Sequence, residues 1–197
     1  MKKSYIAIII IAFFLLLFFI IYYNLQKNGN TIINKQDIVE RLLQNSIRYS
    51  AEIEVEVQTN KNKNKYKIKQ EENQNYSKQE IIEGQNIKGL IIEINNNILK
   101  IKNTTLNLEK IYEDYNDVSN NYLFLSTFLK ECKNQDNKVE IKEDEENYNI
   151  KLEISNNMYI KEKELCISKK TNKPIKMIIK HSYHNQKTSI LYTNIEI

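Results

Sequence analysis

The sequence predicts a mainly β domain of the α+β class behind an N-terminal transmembrane helix, with a curved antiparallel sheet packed on two helices. Three observations predict it. Residues 5–23 form an uncharged apolar run. Apolar residues recur at helical spacing near 38–47 and 122–129, and from Ser50 onward apolar and charged residues mostly alternate with period two. The chain therefore divides into an anchor at 1–23, a tether at 24–35 and a β domain at 36–197.

The anchor comes first. Tyr5 to Tyr23 is dominated by Ile, Leu and Phe, and at 1.5 Å per residue it is about 28 Å long, close to the hydrocarbon thickness of a bilayer. Lys2 and Lys3 precede it and the next basic residue is Lys27, a bias that predicts a cytoplasmic N-terminus and an extracytoplasmic C-terminal domain at the cell membrane. Tyr5, Tyr22 and Tyr23 fit the interfacial aromatic belt. A cleaved signal peptide is the competing reading, but the run is longer than an ordinary h-region and ends Ile20-Ile21-Tyr22-Tyr23 without an Ala-x-Ala-like site. Its apolar residues cover every face, unlike those of a core helix.

Asn24 to Asn34 is polar and reads as the tether. Asp37 follows Asn34 by three residues in a loose capping pattern, and Ile38, Val39, Leu42, Leu43 and Ile47 make one apolar stripe opposite Glu40, Arg41, Gln44 and Arg48. At Ser50 the period changes. Ala51, Ile53, Val55 and Val57 alternate with Glu52, Glu54 and Glu56, and Tyr66, Ile68 and Gln70 alternate with Lys67 and Lys69 on a returning strand, so Glu is expected to face Lys on the wet side. Further strands are expected at Tyr76–Glu83, Gly89–Ile94 and Ile98–Lys102, with Leu106, Leu108 and Ile111 continuing the alternation. Tyr122, Leu123, Leu125, Phe128 and Leu129 mark a second helix at 119–132. Strand-like segments then run at Lys138–Lys142, Tyr148–Ile154, Met158–Ser168, Ile175–Tyr183 and Thr188–Ile197.

About nine or ten strands joined by short polar turns favour an antiparallel meander, because parallel pairing needs crossover helices that the sequence does not supply. One apolar sheet face must be covered, and curving the sheet around two helices does so. With three Gly and one Pro in the chain, the turns fall to Asn, as at Asn95-Asn96-Asn97 and Asn120-Asn121, since Asn tolerates positive φ.

Charge and motifs exclude several functions. The formal net charge is +4; beyond Lys2 and Lys3 the chain holds 27 basic and 25 acidic residues, interleaved rather than gathered, which argues against nucleic-acid binding. His181 and His184 lie three apart on an expected strand and so point to opposite faces, poor geometry for a shared metal. Glu143-Asp144-Glu145-Glu146 lacks the spaced ligands and Gly of a calcium loop and reads as a solvated hairpin tip. Cys132 and Cys166 read as small apolar residues, a disulfide in an extracytoplasmic domain being the alternative. No Gly-x-Ser-x-Gly, phosphate loop or Cys/His nucleophile pair is present, so no catalytic, cofactor-binding or metal residues are assigned and a non-enzymatic binding domain is expected. Edge strands are natural docking sites, which makes a protein partner or a homodimer the expected ligand.

The order of apolar N-terminus, helix, long meander, central helix and further strands resembles the LolA/LolB/RseB-like superfamily of half-barrels with a helical lid. Its local signature is Leu165-Cys166-Ile167-Ser168-Lys169-Lys170-Thr171-Asn172-Lys173-Pro174-Ile175-Lys176-Met177, similar to the family's strand, D-x-x-T-G-x-P, basic residue, strand hairpin, with Ser168 and Asn172 in place of Asp and Gly. Within that group the chain resembles the GerS-like germination lipoproteins at Tyr49-Ser50-Ala51-Glu52-Ile53, Asn64-Lys65-Tyr66-Lys67-Ile68-Lys69-Gln70, Ile98-Leu99-Lys100-Ile101-Lys102-Asn103-Thr104 and Asn107-Leu108-Glu109-Lys110-Ile111-Tyr112. The resemblance implies a factor of sporulation and germination that binds and regulates a CwlD-like cortex amidase. GerS carries a lipid-bearing cysteine; this chain has none near its N-terminus, so the resemblance implies a helical anchor in its stead, or a paralogue with another partner. A LolA-like acyl-chain carrier and an RseB-like envelope sensor are the alternatives the superfamily implies.

Overall fold

The structure, a computed structural model, describes Glu40 and residues 48–115, 122–182 and 186–196. The expected anchor, the tether, the stripe Ile38–Ile47, Asn120-Asn121 and His184 lie outside the described residues. Among the described residues no helix is long and apolar enough to cross a membrane.

The alternation from Ser50 does build a sheet. Its strands are β1 (Tyr49–Gln58), β2 (Lys63–Asn73), β3 (Tyr76–Glu83), β4 (Leu90–Asn95), β5 (Ile98–Asn103) and β6 (Leu108–Tyr112), then β7 (Lys138–Glu143), β8 (Asn147–Glu153), β9 (Ile160–Ser168), β10 (Pro174–His181) and β11 (Lys187–Glu196). Among the described residues one helix, α1 (Leu125–Lys133), separates the two runs. The strands form a single open 11-stranded sheet in the order β6-β5-β4-β3-β2-β1-β11-β10-β9-β8-β7, antiparallel throughout. Each half is a meander of consecutive hairpins. The pairing of β1 with β11 joins the halves, so β6 and β7 become the two edges.

Turn chemistry follows the sequence. Asn86, Asn96, Asn107 and Asn172 all have φ between 52° and 64°, where a side chain that bonds its own backbone is least penalised. Gly89 sits at φ 81°, and a Cβ there would lie 2.5 Å from the Thr104 hydroxyl, so no larger residue fits this crossing of the chain.

Alternate residues of the strands are buried, as is one face of α1. Ile53, Phe128, Leu129, Ile150, Leu152, Leu165, Met177, Ile179 and Ile190 are fully buried. On the outer face Glu52, Glu54 and Glu56 lie opposite Lys69, Lys67 and Lys65 of β2, as the two sequence patterns require. The ion pairs are loose and exposed, Glu56–Lys63 at 2.9 Å being the shortest on this pair of strands, so they fix register more than stability.

Several expectations are corrected. There are eleven strands rather than nine or ten, because β6 is a strand of its own and not a continuation of β5. Strand β9 begins at Ile160, not Met158. The Asn157 carboxamide oxygen accepts the N–H groups of Tyr159 (2.8 Å) and Ile160 (3.0 Å), and this turn leaves Met158 and Tyr159 outside the ladder and exposed. The helix starts at Leu125 rather than Ser119, since Phe124 already has extended dihedrals (φ −78°, ψ 139°). Cys132 on α1 and Cys166 on β9 are free thiols, and burial pushes the Cys132 thiol up to about 12, the inert form of a buried cysteine.

Candidate protein-binding edge

Several of the buried polar side chains serve α1. Its first turn has no side-chain cap of its own. The Leu125 N–H instead donates to the Tyr49 hydroxyl (3.2 Å), which donates to Gln70 Oε1 (3.3 Å), while Gln70 Nε2 donates to the Leu123 carbonyl (3.3 Å). The Ser126 hydroxyl donates to the Glu72 carboxylate. Burial holds the Glu72 pKa above the usual carboxylate range against the pull of these bonds, and burial likewise raises Tyr49 and Tyr192 beside it. At the other end of the helix, the fully buried Lys163 ammonium meets Glu131 at 2.5 Å; burial lowers the Lys163 pKa and the carboxylate opposes that shift. These groups pin a helix to β1, β2 and β9.

The residues screened for chemistry in the sequence stand apart. His181 ends β10 with Nε2 3.0 Å from the Thr188 hydroxyl and its ring edge-on to Tyr122. The acidic run forms the β7–β8 tip, where Asp144 accepts the N–H groups of Glu146 (2.9 Å) and Asn147 (2.7 Å) and Lys169 lies 2.6 Å from Glu143. Among the described residues no group of three or more His, Cys, Asp or Glu is placed to hold a metal. A cavity of about 430 Å³ opens on the outer face between Glu54, Glu56, Lys65, Lys67, Lys176 and Leu191. Its lining of opposed charges does not suit an acyl chain.

The two edges of the sheet differ in kind. Strand β7 reads Lys-Val-Glu-Ile-Lys-Glu, and its Lys138 pairs with Glu153 of β8 at 3.4 Å. Charges spaced along an edge discourage further pairing. Strand β6 reads Leu-Glu-Lys-Ile-Tyr, and every one of its residues is exposed: Leu108 61%, Ile111 51% and Tyr112 44%. These apolar groups do not share a face. Leu108 and Tyr112 lie opposite Asn103 and Leu99 on the helix side, while Ile111 lies opposite Lys100 on the outer side. A strand that is apolar on both sides and buried on neither has the composition of a sheet interior at the position of a sheet edge.

Local structure fixes both ends of β6. Its entry turn is fixed by the Leu106 N–H donating to Asn103 Oδ1 (3.0 Å) and by Asn107 at φ 52°. The Thr104 and Thr105 hydroxyls bond the Gly89 and Lys88 carbonyls (3.1 and 3.2 Å), tying that turn to the start of β4. At the exit, the Tyr115 N–H donates to the Asn97 carbonyl (2.6 Å), which takes the chain back to the β4–β5 turn and away from the free edge. Among the described residues β5 is the one strand neighbour of β6.

No protein-family model matches the chain, and no curated protein matches it in sequence. Solved structures do match it in fold. An uncharacterized conserved protein from Thermus thermophilus is similar with a TM-score of 0.55 and 12% identity, over 83% of this chain and 86% of that one. The GerS lipoprotein, in its complex with the CwlD amidase from Clostridioides difficile, is similar with a TM-score of 0.50 and 21% identity, over 86% of this chain and 97% of that one. A LolA superfamily protein from Nitrosomonas europaea has a TM-score of 0.46 and 9% identity, over 82% and 92%. The likeness to the first two is one of fold. The mainly β class expected from the sequence is found here as one open antiparallel sheet with, among the described residues, one helix where two were expected.

Proposed function

We propose that this protein is a non-enzymatic binding domain that docks a protein partner on β6, and that the partner is a cell-wall amidase of the CwlD kind. The observation that carries the protein-binding reading is the exposed apolar edge: an edge strand with no described neighbour on its outer side and apolar side chains on both faces gains hydrogen bonds and burial when another chain adds to it. Support for the amidase comes from the fold shared with GerS, which was solved bound to CwlD. In this reading the run at residues 5–23 anchors the domain outside the cytoplasm, where a cortex amidase works.

The test is co-expression of the full chain with a CwlD-type amidase. Co-elution on size exclusion and a change in amidase activity are expected. Separate elution together with unchanged activity refutes the amidase assignment. A second reading, an acyl-chain carrier, draws on the half-buried Leu90, Ile92, Leu99 and Ile101 on the helix side of β4 and β5. It requires lipid in native mass spectra of the purified chain.

A further inference from the structure

We infer that the β6 edge accepts an extended segment of another protein that places a basic residue opposite Glu109 and apolar residues beside it, rather than a second copy of this chain. The inference rests on the protein-binding reading and narrows it to a strand of defined charge. It comes from the register of the whole left half of the sheet. On the outer face, Glu52, Lys69, Glu80, Ile91, Lys102 and Glu109 stand opposite one another across β1 to β6. A parallel row runs Glu71, Lys78, Glu93, Lys100 and Ile111. In both rows every charged residue that faces another charge faces its opposite, the cross-strand arrangement that stabilises a sheet.

The first row stops at Glu109. Among the described residues its ion pair lies behind it, with Lys100 of β5 at 3.0 Å, and nothing described stands in front. The next strand therefore continues the row best with Lys or Arg. The second row stops at Ile111 and is continued by an apolar residue. On the helix side, Leu108 and Tyr112 call for apolar neighbours; Lys110 between them already lies over the Tyr112 ring at 5.5 Å and calls for an acid. Read antiparallel to β6, the complementary strand is apolar, apolar, acidic, basic, apolar.

A second copy does not supply this pattern. Two copies joined edge to edge are related by a twofold axis perpendicular to the sheet, so residues of like parity oppose each other. The register that pairs all five residues of β6 puts Lys110 against Lys110 and Glu109 against Ile111. Sliding toward the N-terminal end puts Glu109 against Glu109, and sliding toward the C-terminal end puts it against Glu113, just past the strand. None of the three registers places a base before Glu109, and each sets like charges face to face, which is destabilising.

The test uses the full chain in detergent solution and two fluorescein-labelled peptides, Thr-Val-Val-Glu-Lys-Val-Thr and the same peptide with Glu in place of Lys, read by fluorescence anisotropy. The unmodified chain is expected to bind the first about three- to fivefold more tightly than the second, as one opposed pair exchanged for a like pair requires. Glu109→Lys is expected to invert the preference. Because Glu109 is exposed, this variant keeps the fold, which its circular dichroism spectrum checks. Equal binding of the two peptides, a preference that survives Glu109→Lys, or no binding of either overturns the inference. So does a dimer in sedimentation that Ile111→Arg dissociates, which assigns the edge to a second copy. If the amidase co-elutes equally with the unmodified chain and Glu109→Lys, the edge assignment fails while the amidase reading stands. If the peptides behave as expected and the amidase does not bind, the reverse holds.

Discussion

Strands β8–β11 and the wing β4–β6 are written in the same alphabet of Ile, Leu, Lys, Glu and Asn, yet the chain treats them in opposite ways. Under α1, Ile150, Leu152, Leu165, Met177, Ile179 and Ile190 are fully buried, and even a lysine, Lys163, is enclosed and paired. In the wing Ile94 alone is buried, and Leu108, Ile111 and Tyr112 face solvent. The difference lies in position, not in composition. The ties of α1 run to Tyr49, Gln70, Glu72 and Lys163, so the helix covers the middle of the sheet and its β9 side. Covered strands hold the fold together; the wing, which no described helix covers, is the part that the proposed reading gives to a partner. The contrast matches the general separation of stable scaffold from binding surface.

The sharpest way to break this comparison is to truncate one apolar side chain on each side. Phe128→Ala should destabilise the domain by about 3–5 kcal/mol, since a fully buried aromatic leaves a cavity, whereas Leu108→Ala should change stability by less than about 0.5 kcal/mol. Urea midpoints measure both, and similar losses would show that the wing is covered after all.

The buried ion pair gives a second, asymmetric test. Glu131→Ala strands the Lys163 ammonium in the core and should cost about 3–5 kcal/mol. Lys163→Met removes the buried charge and leaves Glu131, with a quarter of its side chain exposed, to hydrate; its cost should stay below about 1.5 kcal/mol. Equal costs would contradict a burial-dominated Lys163.

A third test concerns pH. Burial raises the Glu72 pKa above 4.5, so the folded state holds this proton more tightly than the unfolded chain does. Stability from this group is present at low pH and is lost as pH rises from 4.5 through the folded-state value. Glu72→Gln should flatten the dependence of Tm on pH over that window while leaving acid unfolding driven by other carboxylates in place. An unchanged profile would show that the Ser126 bond and the Lys130 charge outweigh burial.

The smallest effect is expected on the wet face. Lys69→Glu sets like charges opposite Glu52 across an exposed pair now 3.9 Å apart, and should cost about 0.2–1 kcal/mol at low salt and less at high salt. A salt-independent loss would mean that Lys69 acts through its aliphatic stem.

Much of the fold was legible because strand and helix periods leave separate marks. The Glu52-Glu54-Glu56 and Lys65-Lys67-Lys69 pair announced both strands and their register, and Phe128 and Leu129 announced the covering helix. Asn96 and Asn172 were readable as turn residues because they bear positive φ more easily than most. Met158 was misread because its run looks strand-like while the Asn157 turn ends the ladder. The β6 edge was not identified, although a signal was there. Leu108, Ile111 and Tyr112 do not fall on one face, which is how a strand without a buried side reads. No residue in β6 states that it lies at the end of the sheet.

Local side-chain chemistry thus determined by itself which segments become strands, which face of each avoids water and where the chain turns. Sheet order, the choice of β6 and β7 as edges and the enclosure of Lys163 against Glu131 were decided by tertiary structure alone. They follow from β1 meeting β11, a contact between the two ends of the domain. Periodicity reports only what neighbours a few residues apart require; it carries no term for pairing between strands at opposite ends of the sequence, and that pairing places the open edge.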